Sequence, residues 1–437
     1  PYPRGCVLRS PRFLSDLNGA VRLATDAVLG VTDLVEASHQ AVWTVLGVPA
    51  RVPGRTRGLT GHIYAAVRGT THLVGHGAAL AVDAAAEPSD VENPRLSVPT
   101  LRAVLNGVVG DYLSATGNPL ATPMSLHVRG RPLVCESSLE AEEAPALFGV
   151  PESFAVPEAT SRIARLGHGL CMDERAWDAA AQHEPEGSGH AEALEARGYT
   201  PVRVRYNTGR SIAENGRRLA RLLSALCARW PAPVDEIAVV AHSMGGLVVR
   251  SALHHADALG CDAALGWRPY LRRVVCLGTP HHGAPLERLG GWVDAVLGLS
   301  PFTAPYARIG AVRSAGITDL RWGRVAGRVA PIPLPTDIAW YAIAGTLGDS
   351  VDEPAAPSPP GDSLGSRSWV ETLVGDGLVP GASALGEDSR SDASLDIRAS
   401  HRQLVTETGH LALLRSPEVT AWLVRWLGPT WGAVSVR

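Results

Sequence analysis

Between Phe13 and Val45 apolar residues recur every three or four positions: Phe13, Leu17, Val21, Ala24, Val28, Val31, Val35, then Val42 and Val45. Ser38 occupies the one missing step. The spacing predicts a long helix with an apolar stripe, and Asp16, Arg22, Asp26, Asp33 and Glu36 fall off that stripe. A turn rich in Pro, Gly and Arg runs from Pro49 to Gly58, and a second helical stretch follows from about Ile63 to Ala86. Together they predict a helical hairpin whose stripe packs on the rest of the protein or on a second copy. Adsorption to a membrane or polymer surface is the disfavoured rival, because the charges are mixed rather than basic.

Residues 87–98 are polar and Pro-containing and read as a linker, so the expected division is 1–95 for hairpin and linker and 96–437 for the rest. Thr100 is placed to cap a helix with Leu101, Val104, Leu105, Val108 and Tyr112 on one face. Leu126 to Val134, broken at Arg129-Gly130-Arg131, predicts a β-hairpin. From Ile163 onward strands and helices alternate, which points to a parallel α/β sheet. Val202, Val204 and Tyr206 alternate as a strand, and Ser211 with Glu214 forms a capping box. Ile237–Val240, Val274–Leu277 and Ala339–Leu347 are apolar runs of the kind buried on both faces. Ser416-Pro417-Glu418 opens a closing helix. A Pro- and Ser-rich stretch near 351–362 reads as a mobile loop.

Composition narrows the function. The 437 residues are 45% hydrophobic, enough for a sizeable core, with a formal net charge of −3. Forty basic residues, all Arg, stand against 43 acidic ones, so no general attraction to nucleic acid or anionic lipid is expected. The six cysteines form no CxxC pair, and neither a disulfide scaffold nor a zinc knuckle is expected. No apolar run approaches the ~18–20 residues of a membrane span, and no signal-peptide core follows the first arginines. A reduced, cytoplasmic setting is the expectation.

The chemistry concentrates in Ala241-His242-Ser243-Met244-Gly245-Gly246. It follows a buried apolar run and precedes a helical one, the strand–turn–helix setting of a nucleophile elbow. The flanking Ala241 and Gly245 are small, as convergence of strand and helix demands. Leu166-Gly167-His168-Gly169-Leu170 ends an earlier strand. A developing oxyanion needs two donors, assigned to the backbone N–H groups of Leu170 and Met244. His168 reads as a loop-shaping residue rather than the base.

These segments, with Leu277-Gly278-Thr279-Pro280-His281-His282-Gly283, Asp376-Gly377-Leu378-Val379 and Gly409-His410-Leu411, resemble α/β-hydrolase lipases and esterases. The elbow with Ala first is similar to that of small Bacillus-type lipases, and Asp-Gly-Leu-Val resembles the acid-bearing loop of Pseudomonas-type lipases. The layout also resembles the GPI inositol-deacylase-like group of bacterial hydrolases. The resemblance runs from about Leu126 to the C-terminus. It departs from the pattern in the arginines of Arg162-Ile163-Ala164-Arg165-Leu166, which make that strand less apolar than usual.

An α/β-hydrolase triad runs Ser, acid, His along the chain. Ser243, Asp376 and His410 obey that order. Asp349, Asp352 and Asp362 compete for the acid but sit in or beside the Pro-rich loop. His281 and His282 come too early for the base, and no partner spacing gives them a metal. An insertion at about 284–335 bearing Trp292 and Phe302 reads equally as a helical excursion with a core face and as a cap over an apolar acyl pocket. His168, His281, Trp292 and Phe302 are the candidates to line a substrate pocket. The expected activity is carboxylic-ester hydrolysis through an acyl-enzyme, with no cofactor and no metal. Acyl transfer by the same triad and a non-catalytic binding role are the alternatives. Every residue given a catalytic role lies after Gly167, so the hairpin is expected to be dispensable for chemistry, its stripe covered by packing on the catalytic core or by pairing with a second copy.

Overall fold

The structure is a computed structural model that describes residues 11–45, 52, 54–84, 98–135, 154–178, 189–258, 266–284, 314–327, 332–348, 375–388 and 393–428. Its internal contacts define two units, Pro1–Val98 with Leu113–Ala121, and Pro99–Tyr112 with Thr122–Arg437.

In the first unit, α1 (Pro11–Val45) and α2 (Gly58–Ala84) form the hairpin. Its two helices meet through polar and small residues. Asn18 donates to the Ala79 carbonyl, a His39 ring nitrogen lies 3.3 Å from the Tyr64 hydroxyl, and Thr25 packs against Gly75. Glu36, buried, accepts from Arg55 at 2.9 Å, Arg68 at 2.6 Å, and the Thr56 N–H and hydroxyl. Asp33 shares both arginines. The apolar stripe of α1 points elsewhere, with Val28, Val31 and Val35 each 49% exposed. On α2, Leu59, Ile63, Leu73 and Val74 are likewise exposed. The stripe is therefore not the face that joins the two helices. Spacing alone shows that a stripe exists, not which neighbour meets it.

Burial alone would raise the Glu36 carboxyl, but hydrogen bonds from Arg55, Arg68 and Thr56 outweigh it and bring it from the ordinary 4.5 to about 2. A depressed folded value stabilises the fold above the unfolded value, and that contribution is lost as pH falls through about 2. Glu36→Gln is expected to cost the hairpin about 1–3 kcal/mol at pH 6, since two arginines lose a charged acceptor. The difference from wild type should shrink between pH 4.5 and pH 2. Far-UV circular dichroism melts of the full chain across that range check it. An equal deficit at pH 6 and pH 2 would show that the ion cluster does not hold the helices.

In the second unit an eight-stranded sheet has the order β2-β1-β4-β3-β5-β6-β7-β8. The strands are β1 (Ser125–Val128), β2 (Arg131–Cys135), β3 (Arg162–Gly167), β4 (Thr200–Arg205), β5 (Glu236–His242), β6 (Leu271–Leu277), β7 (Ala339–Gly345) and β8 (Arg402–Val405). β1 runs antiparallel to β2 and β4, and all other pairings are parallel. Arg129 and Gly130 both have positive φ, which suits the two-residue β1–β2 turn. From β4 onward this crossed parallel order, with an antiparallel hairpin at its edge, is that of the α/β-hydrolase fold.

Apolar residues on both faces of β5 put it at the centre. Ile237, Val239 and Ala241 join the core beneath α5 (Ile212–Arg229) and α6 (Met244–Ala258). Ala238 and Val240 face the core beneath α4 (His190–Glu195) and α8 (Pro417–Leu427). Ser211 caps α5 by accepting from the Glu214 N–H, and Ser416 caps α8. α3 (Val98–Ala115) begins before Thr100, which is therefore not its cap: Pro99 needs no N–H partner in the first turn. α7 (Ala315–Trp322) is capped by Ser314.

The arginines of β3 do not disturb its register, which pairs Ile163–Gly167 with Thr200–Val204 and Arg162–Gly167 with Glu236–Ala241. Arg162 is paired with Glu236 and the Tyr199 hydroxyl. Arg165 is fully buried, and its guanidinium nitrogens have no hydrogen-bond partner among the described residues. Nothing in the structure explains it. Among the described residues no helix is long and apolar enough to cross a membrane. Most of the expected cap, with Trp292 and Phe302, and the 351–362 loop with Asp349, Asp352 and Asp362 lie outside the described residues.

Candidate active site

Ser243 sits in the turn between β5 and α6 at φ +53, a left-handed conformation rare for a residue with a Cβ. Its N–H donates to the Leu277 carbonyl at 2.8 Å, which ties the turn to β6. The turn is crowded at Gly245 by the end of β3 rather than by β5 itself. A Cβ on Gly245 would lie 2.8 Å from the His168 carbonyl oxygen, so the turn accepts no side chain there.

Asp376 and His410 come from the loops after β7 and β8. Asp376 is buried, and its Oδ1 accepts from the Leu378 and Val379 N–H groups at 3.0 and 2.8 Å. Its Oδ2 lies 2.6 Å from His410 Nδ1, and the His410 N–H donates to the Asp376 carbonyl at 3.0 Å. The acid loop and the His loop therefore hold each other at both side chain and backbone. Gly278 (φ +56) lies beneath them, where a Cβ would come within 3.0 Å of both Asp376 Oδ2 and His410 Nδ1.

One cavity brings Ser243 and His410 together. The rest of its lining is His242 and the apolar Leu170, Met172, Pro280, Ala284, Leu320, Leu378 and Val379. Ser243 makes no side-chain hydrogen bond to the ring among the described residues, the looser state common before a substrate binds. The N–H groups of Leu170 and Met244 also have no hydrogen-bond partner among the described residues.

Two expected pocket residues are not among this lining. His168 is buried and stacked on Tyr206 at 4.4 Å, whose hydroxyl donates to its carbonyl. Burial brings its imidazole down to about 4. His281 is buried against Arg250, and burial, then that guanidinium, holds it well below the usual histidine value. Both shape loops around the cavity.

Sequence reading missed how the Leu170 loop is held. Cys171, at φ +57, donates its N–H to Thr208 Oγ1, and its thiol reaches the Val104 carbonyl on α3 at 3.8 Å. α3 packs Gly107 onto Cys171 and Gly110 onto Asn207, and receives the Ser314 hydroxyl at the Gly107 carbonyl. The glycine spacing of α3 was the available signal.

Residues 212–294 match the model of the PGAP1-like alpha/beta domain, which covers α5, β5, the elbow, α6 and β6. The crossed parallel sheet and the elbow between β5 and α6 are those of the α/β-hydrolase fold. Among solved structures, mature Bacillus licheniformis lipase BlEst2 is 20% identical over 64% of this chain and 95% of its own, with a TM-score of 0.36. Lipase 1 from Pelosinus fermentans is 14% identical over 62% and 99%, with a TM-score of 0.38. Aspergillus fumigatus lipase B is 15% identical over 69% and 55%, with a TM-score of 0.33. At such values the fold assignment rests on the strand order itself. No curated protein sequence matches the chain.

Proposed function

We propose that the protein hydrolyses carboxylic esters through Ser243, His410 and Asp376. The observation that carries this reading is the 2.6 Å contact of His410 Nδ1 with Asp376, beside a left-handed Ser243 in the same cavity. His410 Nε2 takes the Ser243 proton as Oγ attacks the ester carbonyl. Asp376 keeps the Nδ1–H tautomer and stabilises the imidazolium. The N–H groups of Leu170 and Met244 receive the oxyanion. His410 then protonates the leaving alcohol, and water activated by the same ring releases the acid. The apolar lining suits an acyl chain rather than a charged substrate.

The test uses the full chain with a fluorophosphonate probe and a series of p-nitrophenyl esters of rising chain length. The expected result is covalent labelling that maps to Ser243, together with turnover of the esters. A folded protein that neither reacts with the probe nor cleaves any of the esters would overturn the reading.

A further inference from the structure

His410 makes two contacts that fix it, and both lead to the Asp376 loop: Nδ1 to the carboxylate and N–H to the Asp376 carbonyl. Neither holds the acid–base pair in place relative to the nucleophile. A third contact does. His242 Nε2 lies 2.9 Å from the His410 carbonyl oxygen, with the two rings 4.6 Å apart. His242 is the last residue of β5 and the covalent neighbour of Ser243. We propose that His242 is a positioning residue that ties the His410 loop to the elbow, an inference that rests on the hydrolase reading above.

The chemistry of the contact fixes the state of the ring. A carbonyl oxygen can only accept, so Nε2 carries the proton. His242 is fully buried, and its Nδ1, which lies against Gly169, has no hydrogen-bond partner among the described residues. Burial, then the neighbouring His410, and more weakly His168 and His190, hold the ring well below the usual histidine value. His242 is thus a neutral donor in one tautomer. It anchors the base without placing a second positive charge beside the imidazolium that His410 becomes during turnover. Because Nε2 is committed to the carbonyl, His242 does not exchange protons with substrate.

The experiment compares His242→Leu, His242→Asn and His242→Gln in the full chain. Leu has no donor and the Asn amide stops short of the carbonyl, whereas the Gln amide nitrogen reaches about as far as Nε2. Leu and Asn are expected to lower kcat by about 100-fold, the cost of roughly 1 Å of misplacement, with KM nearly unchanged. Gln should recover most of that loss, and the melting temperatures should stay close together. If Leu does not fold, Asn carries the same comparison with Gln. Folded Leu or Asn variants with wild-type kcat would overturn the inference, as would a Gln variant no better than Asn. Probe labelling of wild type separates the two levels. If Ser243 is not labelled, the hydrolase reading falls. If it is labelled and the donor-free variants keep kcat, only the role of His242 falls.

Discussion

Ser243→Ala is expected to lower ester turnover by about a million-fold and to abolish fluorophosphonate labelling, with the fold unchanged. In the proposed mechanism Ser243 acts as one unit with its base, so removing it forfeits the whole nucleophilic route. The fold survives for local reasons. The bond that holds the turn to β6 comes from the Ser243 backbone N–H, which alanine keeps. No described group loses a partner with the hydroxyl, and the left-handed conformation is already imposed by the surrounding strand and helix. The check is kcat, labelling and a thermal melt on the same preparation. A folded alanine variant that still turns over the ester near the wild-type rate would place the nucleophile elsewhere.

Asp376→Asn is expected to cost about 10⁴ in kcat with little change in KM. Geometry gives the reason. Oδ1 accepts from two backbone N–H groups, so the amide oxygen of Asn stays there and its NH₂ turns to His410. An amide donor facing Nδ1 forces the proton onto Nε2, where a bare nitrogen is needed to take the Ser243 proton. Binding is spared because the substitution alters neither the lining nor the turn. Wild-type kcat in a folded variant would return the acid to the Asp349, Asp352 and Asp362 alternatives.

Much of this was legible in the chain because it rests on local rules. The runs at 237–240, 274–277 and 339–347 became β5, β6 and β7, and the small Gly245 sits where the end of β3 leaves no room for a side chain. The meeting of Asp376 and His410 was foreshadowed by chain order. What stayed hidden depends on neighbours distant in sequence. His242 reads as one more residue of a motif until the His410 carbonyl, 168 positions away, is placed against it. α3 read as an amphipathic helix, and its grip on Cys171 shows only once Gly107 and Gly110 face the loops they cover. The two hairpin helices were legible from their periodicity, yet they pair through Glu36 and Arg68, because an ion cluster needs partners that periodicity does not register.

In the proposed triad His410 is delivered by the loop after β8, a four-residue strand at the sheet edge that among the described residues pairs only with β7. During synthesis every other strand of the sheet, with the elbow and the Leu170 loop, precedes it from the ribosome, so a nascent chain can bury most of its core while still chemically inert. The same order applies in reverse on heating. Short edges open before the centre of a sheet does, and the first event to disconnect His410 would silence the proposed activity while β3, β5 and β6 still stand. Catalytic activity would then report the fraying of one edge, and spectroscopic melting the collapse of the centre.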